Sequence, residues 1–282
     1  MTKERHSGSI GIFDSGYGGL TILSEIQKLL PEYDYIYLGD NSRAPYGSRS
    51  FDVVYEFTRQ AVLTLFDKGC NLVILACNTA SAKALRSIQQ IDLPTTNPHK
   101  RVLGVIRPTA EIIGGITKTR HIGILGTIGT IQSDSYPIEI QKLYPDIITR
   151  SQACPMWVSL VENNESNKPG ADYFVKKYVD EILAQDHQID TLILGCTHYP
   201  LLYNKIREYT PKGVTIVPQG EYIANSLKIY LQRHPEMDEL CTKNRKTLYY
   251  TTELAERFKQ SASFFLNKDI EVERISLEKQ IL

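Results

Sequence analysis

The chain of 282 residues is 42% hydrophobic and 23% charged, the balance of a globular protein long enough for one large or two modest domains. Its 32 Lys+Arg against 32 Asp+Glu leave no formal net charge, so no basic field favours nucleic acid or an anionic membrane surface. No run approaches the roughly 20 apolar residues of a membrane span, the polar start at 1–6 has no secretory apolar core, and the five cysteines, odd in number and loosely spaced, read as reduced thiols of a cytoplasmic protein.

Residues 9–13 predict a strand, followed by a Gly-rich turn. Leu20, Leu23, Ile26 and Leu30 share one face of a helix that Pro31 ends. A second strand, 35–40, is tipped by Asp40, and 41–48 is a polar loop containing Pro45-Tyr46-Gly47. Val54, Phe57, Ala61 and Leu65 keep the helical period through 51–68, with Gly69 suited to the helix end. An apolar run ends on Cys77; a helix over 80–90 and a loop over 94–100 follow. A strand at 101–106, a helix from 108, a strand at 122–125, a helix at 133–143, a strand at 147–153 and a long helix at 171–184 lead to a second apolar run, which ends on Cys196. A helix after Pro200, a strand at 215–217, a helix at 221–233 and an exposed loop at 234–246 come next. A strand, helix and strand over 248–252, 253–266 and 271–275 complete the chain. Strands alternating with helices predict an α/β fold with mainly parallel sheets.

One phrase occurs twice. Leu-Val-Ile-Leu-Ala-Cys-Asn-Thr at 72–79 and Leu-Ile-Leu-Gly-Cys-Thr-His at 192–198 are both apolar runs that end on a cysteine and turn polar. Each is preceded by a related strand phrase, Ile-Gly-Ile-Phe-Asp from Ile10 and Ile-Gly-Ile-Leu-Gly-Thr from Ile122. Asp14 precedes Cys77 by 63 residues and Thr127 precedes Cys196 by 69. The pattern predicts two related α/β lobes facing each other across a cleft, each presenting a thiol at a strand tip, the edge where open α/β sheets place ligands.

A thiol between a strand end and a helix start sits among N–H groups that favour negative charge. Asn78, Thr79 and Ser81 after Cys77, and Thr197 and His198 after Cys196, can tune it or bind an anion. The competing reading, two buried core cysteines, is weakened because the phrase is matched. Cys70, Cys154 and Cys241 lack such neighbours and read as core or surface residues. Cys196-x-His198 offers two zinc ligands but has no second close pair, which argues against a metal site. The turn Gly16-Tyr17-Gly18-Gly19 does not complete a dinucleotide fingerprint and no Walker lysine follows. Asp14 and Asp40, at strand tips, read either as helix caps or as carboxylates facing the cleft.

With these residues in view, the chain resembles the glutamate racemases of the aspartate/glutamate racemase superfamily. The matching phrases are Phe-Asp-Ser-Gly-x-Gly-Gly-Leu-Thr at 13–21, Ala-Pro-Tyr-Gly at 44–47, Ala-Cys-Asn-Thr-Ala-Ser at 76–81 and Leu-Gly-Cys-Thr-His-Tyr-Pro-Leu-Leu at 194–202. Gly-Thr-Ile-Gly-Thr at 126–130 and Tyr-Thr-Thr at 250–252 also fit, whereas Tyr17 and Val217-Pro218-Gln219 depart from the usual pattern. The resemblance implies two pseudo-symmetric lobes with the active site in the cleft between them: 1–100 plus 215–282 around Cys77, and 101–214 around Cys196. It implies racemisation of glutamate without cofactor or metal, by two thiols acting on opposite faces of one carbon, in the service of peptidoglycan synthesis. Cys77 would act on D-glutamate with Asp14 assisting, and Cys196 on L-glutamate with His198 assisting. Asp14, Ser15, Tyr46, Gly47, Asn78, Thr79, Thr197 and His198 match substrate-holding positions, and Asp40, Thr127 and Glu162 supporting ones. Glutamate is the expected partner, with no nucleic acid or membrane, and a homodimer is left open.

Three alternatives stay open at this point. They are another racemase or isomerase of the superfamily, a two-lobe amino-acid receptor without chemistry, and a thiol redox protein. Two strand-tip thiols argue against the receptor, and the missing C-x-x-C spacing argues against the redox protein.

Overall fold

The computed structural model describes residues 6–266 and 268–277; the expectation about the polar start therefore falls mostly outside the described residues. Among them, β1 (Ile10–Asp14), β2 (Tyr35–Gly39), β3 (Leu72–Leu75), β4 (Arg101–Gly104), β9 (Thr247–Thr251) and β10 (Val272–Arg274) form one sheet. A second sheet is formed by β5 (His121–Gly126), β6 (Ile148–Ala153), β7 (Thr191–Gly195) and β8 (Thr215–Val217). The strand orders are β10-β9-β2-β1-β3-β4 and β6-β5-β7-β8, and every pairing is parallel. β1, β2, β3 and β7 are buried along their whole length, which is why they read as unbroken apolar runs.

Helices cover both faces of each sheet. On the first sheet, Leu20, Leu23 and Ile26 of the Gly19–Leu29 helix share a core with Ile223, Leu227 and Leu231 of the Gly220–Arg233 helix. On its other face Val54, Ala61 and Leu65 of the Phe51–Asp67 helix meet Val73 and Leu75. In the second lobe Val175, Val179 and Ile182 of the Pro169–Gln185 helix meet Leu192 and Leu194, while Ile113 and Ile140 meet Ile122, Ile124 and Ile193. Among the described residues no helix is long and apolar enough to cross a membrane.

The chain steps from β1 to β2 on one side and returns to β3 on the other; it repeats this from β5 to β6 and back to β7. Each reversal opens a crevice beyond the strand ends, the usual ligand position in such sheets. Asp14 and Cys77 flank the first crevice, and Thr127 and Cys196 the second. The duplicated phrases therefore occupy one architectural position in two copies.

Several expectations need correction. β4 joins the first sheet and β8 the second, so the expected lobe boundaries at 100 and 214 each fall one strand early. A short apolar run carries no mark of the sheet it will join. The helix expected over 80–90 is broken into Asn78–Lys83 and Leu85–Ser87, then passes through a π turn, Ile88–Asp92, into Leu93–Thr96, where a loop was expected. The N–H of Leu93 bonds back to the carbonyl of Ile88, a wider turn that carries the helix past Pro94. Short helices at Ile128–Gln132 and Trp157–Glu162 were not foreseen. The stretch 234–246 is no exposed loop: it holds the Pro235–Asp238 helix, and Met237 and Cys241 are buried.

Candidate active site

The two crevices open into one cavity of ≈ 180 Å³, lined from the first lobe by Ser15, Tyr46, Gly47, Cys77, Asn78 and Thr79. From the second lobe it is lined by Thr127, Cys154, Glu162, Cys196, Thr197 and His198, among others. Pockets for drug-sized ligands run to about 300–1,000 Å³, so this space suits a smaller molecule.

Cys77 caps the Asn78–Lys83 helix, and its Sγ accepts from the Ala80 N–H at 3.4 Å. Ser15 Oγ lies 3.4 Å from the same sulfur. Burial, then the neighbouring Asp14 charge, pushes this thiol up to about 12 against the pull of Ser15 and the Ala80 N–H. Asp14 does not line the cavity. It is fully buried behind it, with Oδ2 accepting from the Gly16 N–H at 2.9 Å and Oδ1 without a partner among the described residues. Burial raises its pKa, opposed first by the charge of His198 across the cleft.

The second thiol has a different neighbour. Cys196 Sγ is 3.8 Å from His198 Nδ1, and His198 Nε2 is 3.0 Å from Glu162 Oε1. Burial disfavours the imidazolium, but the hydrogen bonds to Cys196 and then to Glu162 outweigh it and raise the His198 pKa to about 10. At neutral pH the ring is therefore a cation held between Glu162 and Cys196.

Asp40 also stands behind the wall rather than in it. Its carboxylate accepts from Tyr46 Oη, from Arg43 Nε at 2.7 Å and from Thr252 Oγ1 at 2.9 Å. It thereby shapes the 41–48 loop and aims Tyr46 and Gly47 at the cavity. Thr79 Oγ1 meets Thr127 Oγ1 at 2.9 Å, and the Gly129 N–H reaches the Gly47 carbonyl at 2.7 Å, so the lobes are joined at the rim. A Cβ on Gly18 would stand 2.2 Å from Thr197 Oγ1 and 2.5 Å from His198 Nδ1. The Gly-rich turn after β1 is thus bare because the other lobe packs on it.

A family model described as Asp/Glu/Hydantoin racemase matches residues 20–226. A glutamate racemase of Ruegeria sp. (strain TM1040) is 40% identical over 275 residues, covering 94% of this chain and 99% of that relative. The chain belongs to the glutamate racemases of the Asp/Glu/Hydantoin racemase family. A glutamate racemase of Listeria monocytogenes serotype 4a (strain HCC23) is 38% identical over 96% of this chain and 99% of its own length. Among solved structures, a glutamate racemase isoform from Bacillus anthracis superposes with a TM-score of 0.88 at 35% identity, covering 98% of this chain and 100% of that one. The glutamate racemase of Francisella tularensis, solved with D-glutamate, has a TM-score of 0.85 at 30% identity, covering 96% of this chain and 98% of that one. These likenesses agree with the α/β fold of two helix-flanked parallel sheets.

A racemase must reach both faces of one carbon, and the two lobes of this one bring a thiol each to a shared cavity. Sequence reasoning missed Cys154, Pro155, Val158 and Ser159 in its wall. Cys154 carried a signal, since it too follows a strand end, β6. Among the described residues no group of three or more His, Cys, Asp or Glu side chains is arranged to hold a metal ion.

Proposed function

We propose that this chain interconverts L- and D-glutamate by proton transfer between two thiols, Cys77 and Cys196, and so supplies D-glutamate for peptidoglycan synthesis in the cytoplasm. One observation carries the reading: two strand-tip thiols from facing lobes line one small cavity, each with its own proton-holding neighbours. Glutamate is the molecule named for the relatives, and the cavity wall offers it donors from Ser15, Asn78, Thr79, Thr127 and Thr197.

In the L-to-D direction the Cys196 thiolate takes the α-proton; the C–H bond breaks and its electron pair stays on Cα. The Cys77 thiol then gives its proton to the opposite face, and its S–H pair stays on sulfur. One thiolate is consumed and one formed, so charge and protons balance without a further reactant. The reverse reaction exchanges the roles. Asp14 serves Cys77 and His198 serves Cys196, with Glu162 behind the imidazole. The Cα carbanion is stabilised by preorganised hydrogen-bond donors in a site that excludes water. Asp40 and Thr127 hold the rim rather than touch the reacting carbon.

The test is loss of optical rotation of L-glutamate by the purified protein in D₂O, with no added metal or pyridoxal phosphate and with EDTA present. Deuterium should enter D-glutamate faster than recovered L-glutamate, because the donating thiol carries solvent hydrogen. Activity that EDTA abolishes and zinc restores would refute the proposal.

A further inference from the structure

Behind the cavity, three buried side chains from separate parts of the chain close a hydrogen-bonded ring that a fourth, Thr109, braces. Asn78 Nδ2 donates to Gln219 Oε1 at 2.8 Å, Gln219 Nε2 donates to Tyr136 Oη, and Tyr136 Oη donates to Asn78 Oδ1 at 2.6 Å. Gln219 Nε2 also donates to Thr109 Oγ1 at 2.7 Å. All four residues are 2% exposed or less. Gln219 does not line the cavity; it caps the Gly220–Arg233 helix, where the chain passes from the second sheet back to the first lobe.

The direction of the ring is forced. Thr109 Oγ1 donates its one hydrogen to the Val105 carbonyl at 3.1 Å, so it can only accept from Gln219. Gln219 must then turn Nε2 toward Thr109 and Tyr136 and Oε1 toward Asn78. Tyr136 receives a hydrogen from Gln219, so its own goes to Asn78 Oδ1. Asn78 therefore presents Nδ2 to Gln219 and keeps one amide hydrogen outside the ring. It lines the cavity as the residue next to Cys77.

We propose that Gln219 is a positioning residue for the reaction: by fixing the Asn78 amide from the crossover between the lobes, it makes Asn78 a hydrogen-bond donor to an anionic oxygen of the substrate. The inference rests on the racemase reading of the cavity. A buried ring of this kind has no slack, since turning either amide over leaves two donors or two acceptors facing each other.

The test is steady-state kinetics in both directions on the full chain with Gln219→Met, Asn78→Ala and the double variant, with circular dichroism as a folding control. Gln219→Met keeps the length and removes both ring bonds that Gln219 makes and its bond to Thr109, leaving Asn78 held by Tyr136 alone. It should raise KM for both enantiomers about tenfold, the effect of one hydrogen bond to a charged group, and lower kcat much less. On the Asn78→Ala background it should change KM by less than about twofold, because the two act as one unit. A merely structural role would lower the active fraction and leave KM alone. Should Gln219→Met not fold, Gln219→Glu reads the same property: an ionised carboxylate takes the Tyr136 hydrogen away from Asn78, and KM should rise again. Unchanged KM in a folded Gln219 variant, or effects that multiply fully in the double variant, would overturn the inference alone. A parent protein that does not racemise glutamate would overturn the proposed function and the inference with it.

Discussion

Glu162 Oε1 stands 3.0 Å from His198 Nε2 while the other ring nitrogen lies 3.8 Å from Cys196 Sγ, so a carboxylate, an imidazole and a thiol lie in series in the second lobe. The first lobe offers Cys77 a hydroxyl and a fully buried carboxyl instead. The two arms match in position but differ in how they hold protons. Burial and Asp14 keep Cys77 at about 12, a protonated thiol at neutral pH, whereas His198 at about 10 places a cation beside Cys196.

Glu162→Gln should unset the second arm. The His198 pKa is raised above its ordinary value of 6.5, so the imidazolium is full through neutral pH and is lost only as pH rises through about 10. Removing the Glu162 charge should move that loss to lower pH and bring the alkaline fall of kcat/KM down with it. At pH 8–9 the variant should lose roughly ten- to a hundredfold in rate, the effect of a hydrogen bond to a charged group. Imidazole NMR titration of His198 beside the pH–rate profile checks this; an unmoved titration would refute it.

Asp190 should make a separate, pH-dependent contribution to stability. Burial alone would raise its pKa, but donation from Thr117, the Thr119 N–H, Thr191 and the Lys118 N–H holds it at about 2. A carboxyl lowered from about 3.9 stabilises the fold above that pH and loses the effect as pH falls through about 2. Asp190→Asn should cost about 1–3 kcal/mol at pH 7, and urea unfolding should show the gap between parent and variant closing toward pH 2.

How much of this was legible follows from range in the sequence. Cys77 and Cys196 stood out because parallel strands buried on both faces leave continuous apolar runs that stop abruptly at their tips. Glu162 was reached only through resemblance, since the Trp157–Glu162 helix is six residues long and too short to show a period. Nothing local marks Gln219: its partners Asn78, Thr109 and Tyr136 lie 141, 110 and 83 residues away. Tyr17, an apparent departure in the glycine turn, packs on Phe258 and Phe265, so its reason lies in a helix near the far end of the chain.

Gly18→Ala tests how closely the lobes must approach. The added methyl would meet Thr197 Oγ1 at 2.2 Å and His198 Nδ1 at 2.5 Å, well inside contact distance. Relief requires the second lobe to back away or His198 to turn off Cys196. The variant should keep its helical circular dichroism, lose about tenfold or more in kcat through misplacement of the catalytic groups, and release the His198 pKa downward. Parent-like kcat would mean that the turn and the second lobe do not meet as described.

The thiols themselves give the sharpest test, and its form is set by equilibrium. L- and D-glutamate are mirror images with an equilibrium constant of one, so kcat/KM must be the same in both directions for the parent and for every variant. Cys77→Ala or Cys196→Ala should lower it by about 10² or more both ways, because one arm cannot remove and return a proton on opposite faces. Cys77→Ser and Cys196→Ser should keep the two kcat/KM values equal while kcat and KM split by direction. In each, kcat should fall more where the serine hydroxyl must act as the base. Cys70→Ala and Cys241→Ala are the controls, buried outside the cavity, where burial raises both thiols to about 12. Cys154→Ala is not a clean control, since Cys154 lines the cavity and feels the charge of Cys196. Near-parent racemisation by folded Cys77→Ala or Cys196→Ala would rule out the two-thiol mechanism, whatever the relatives do.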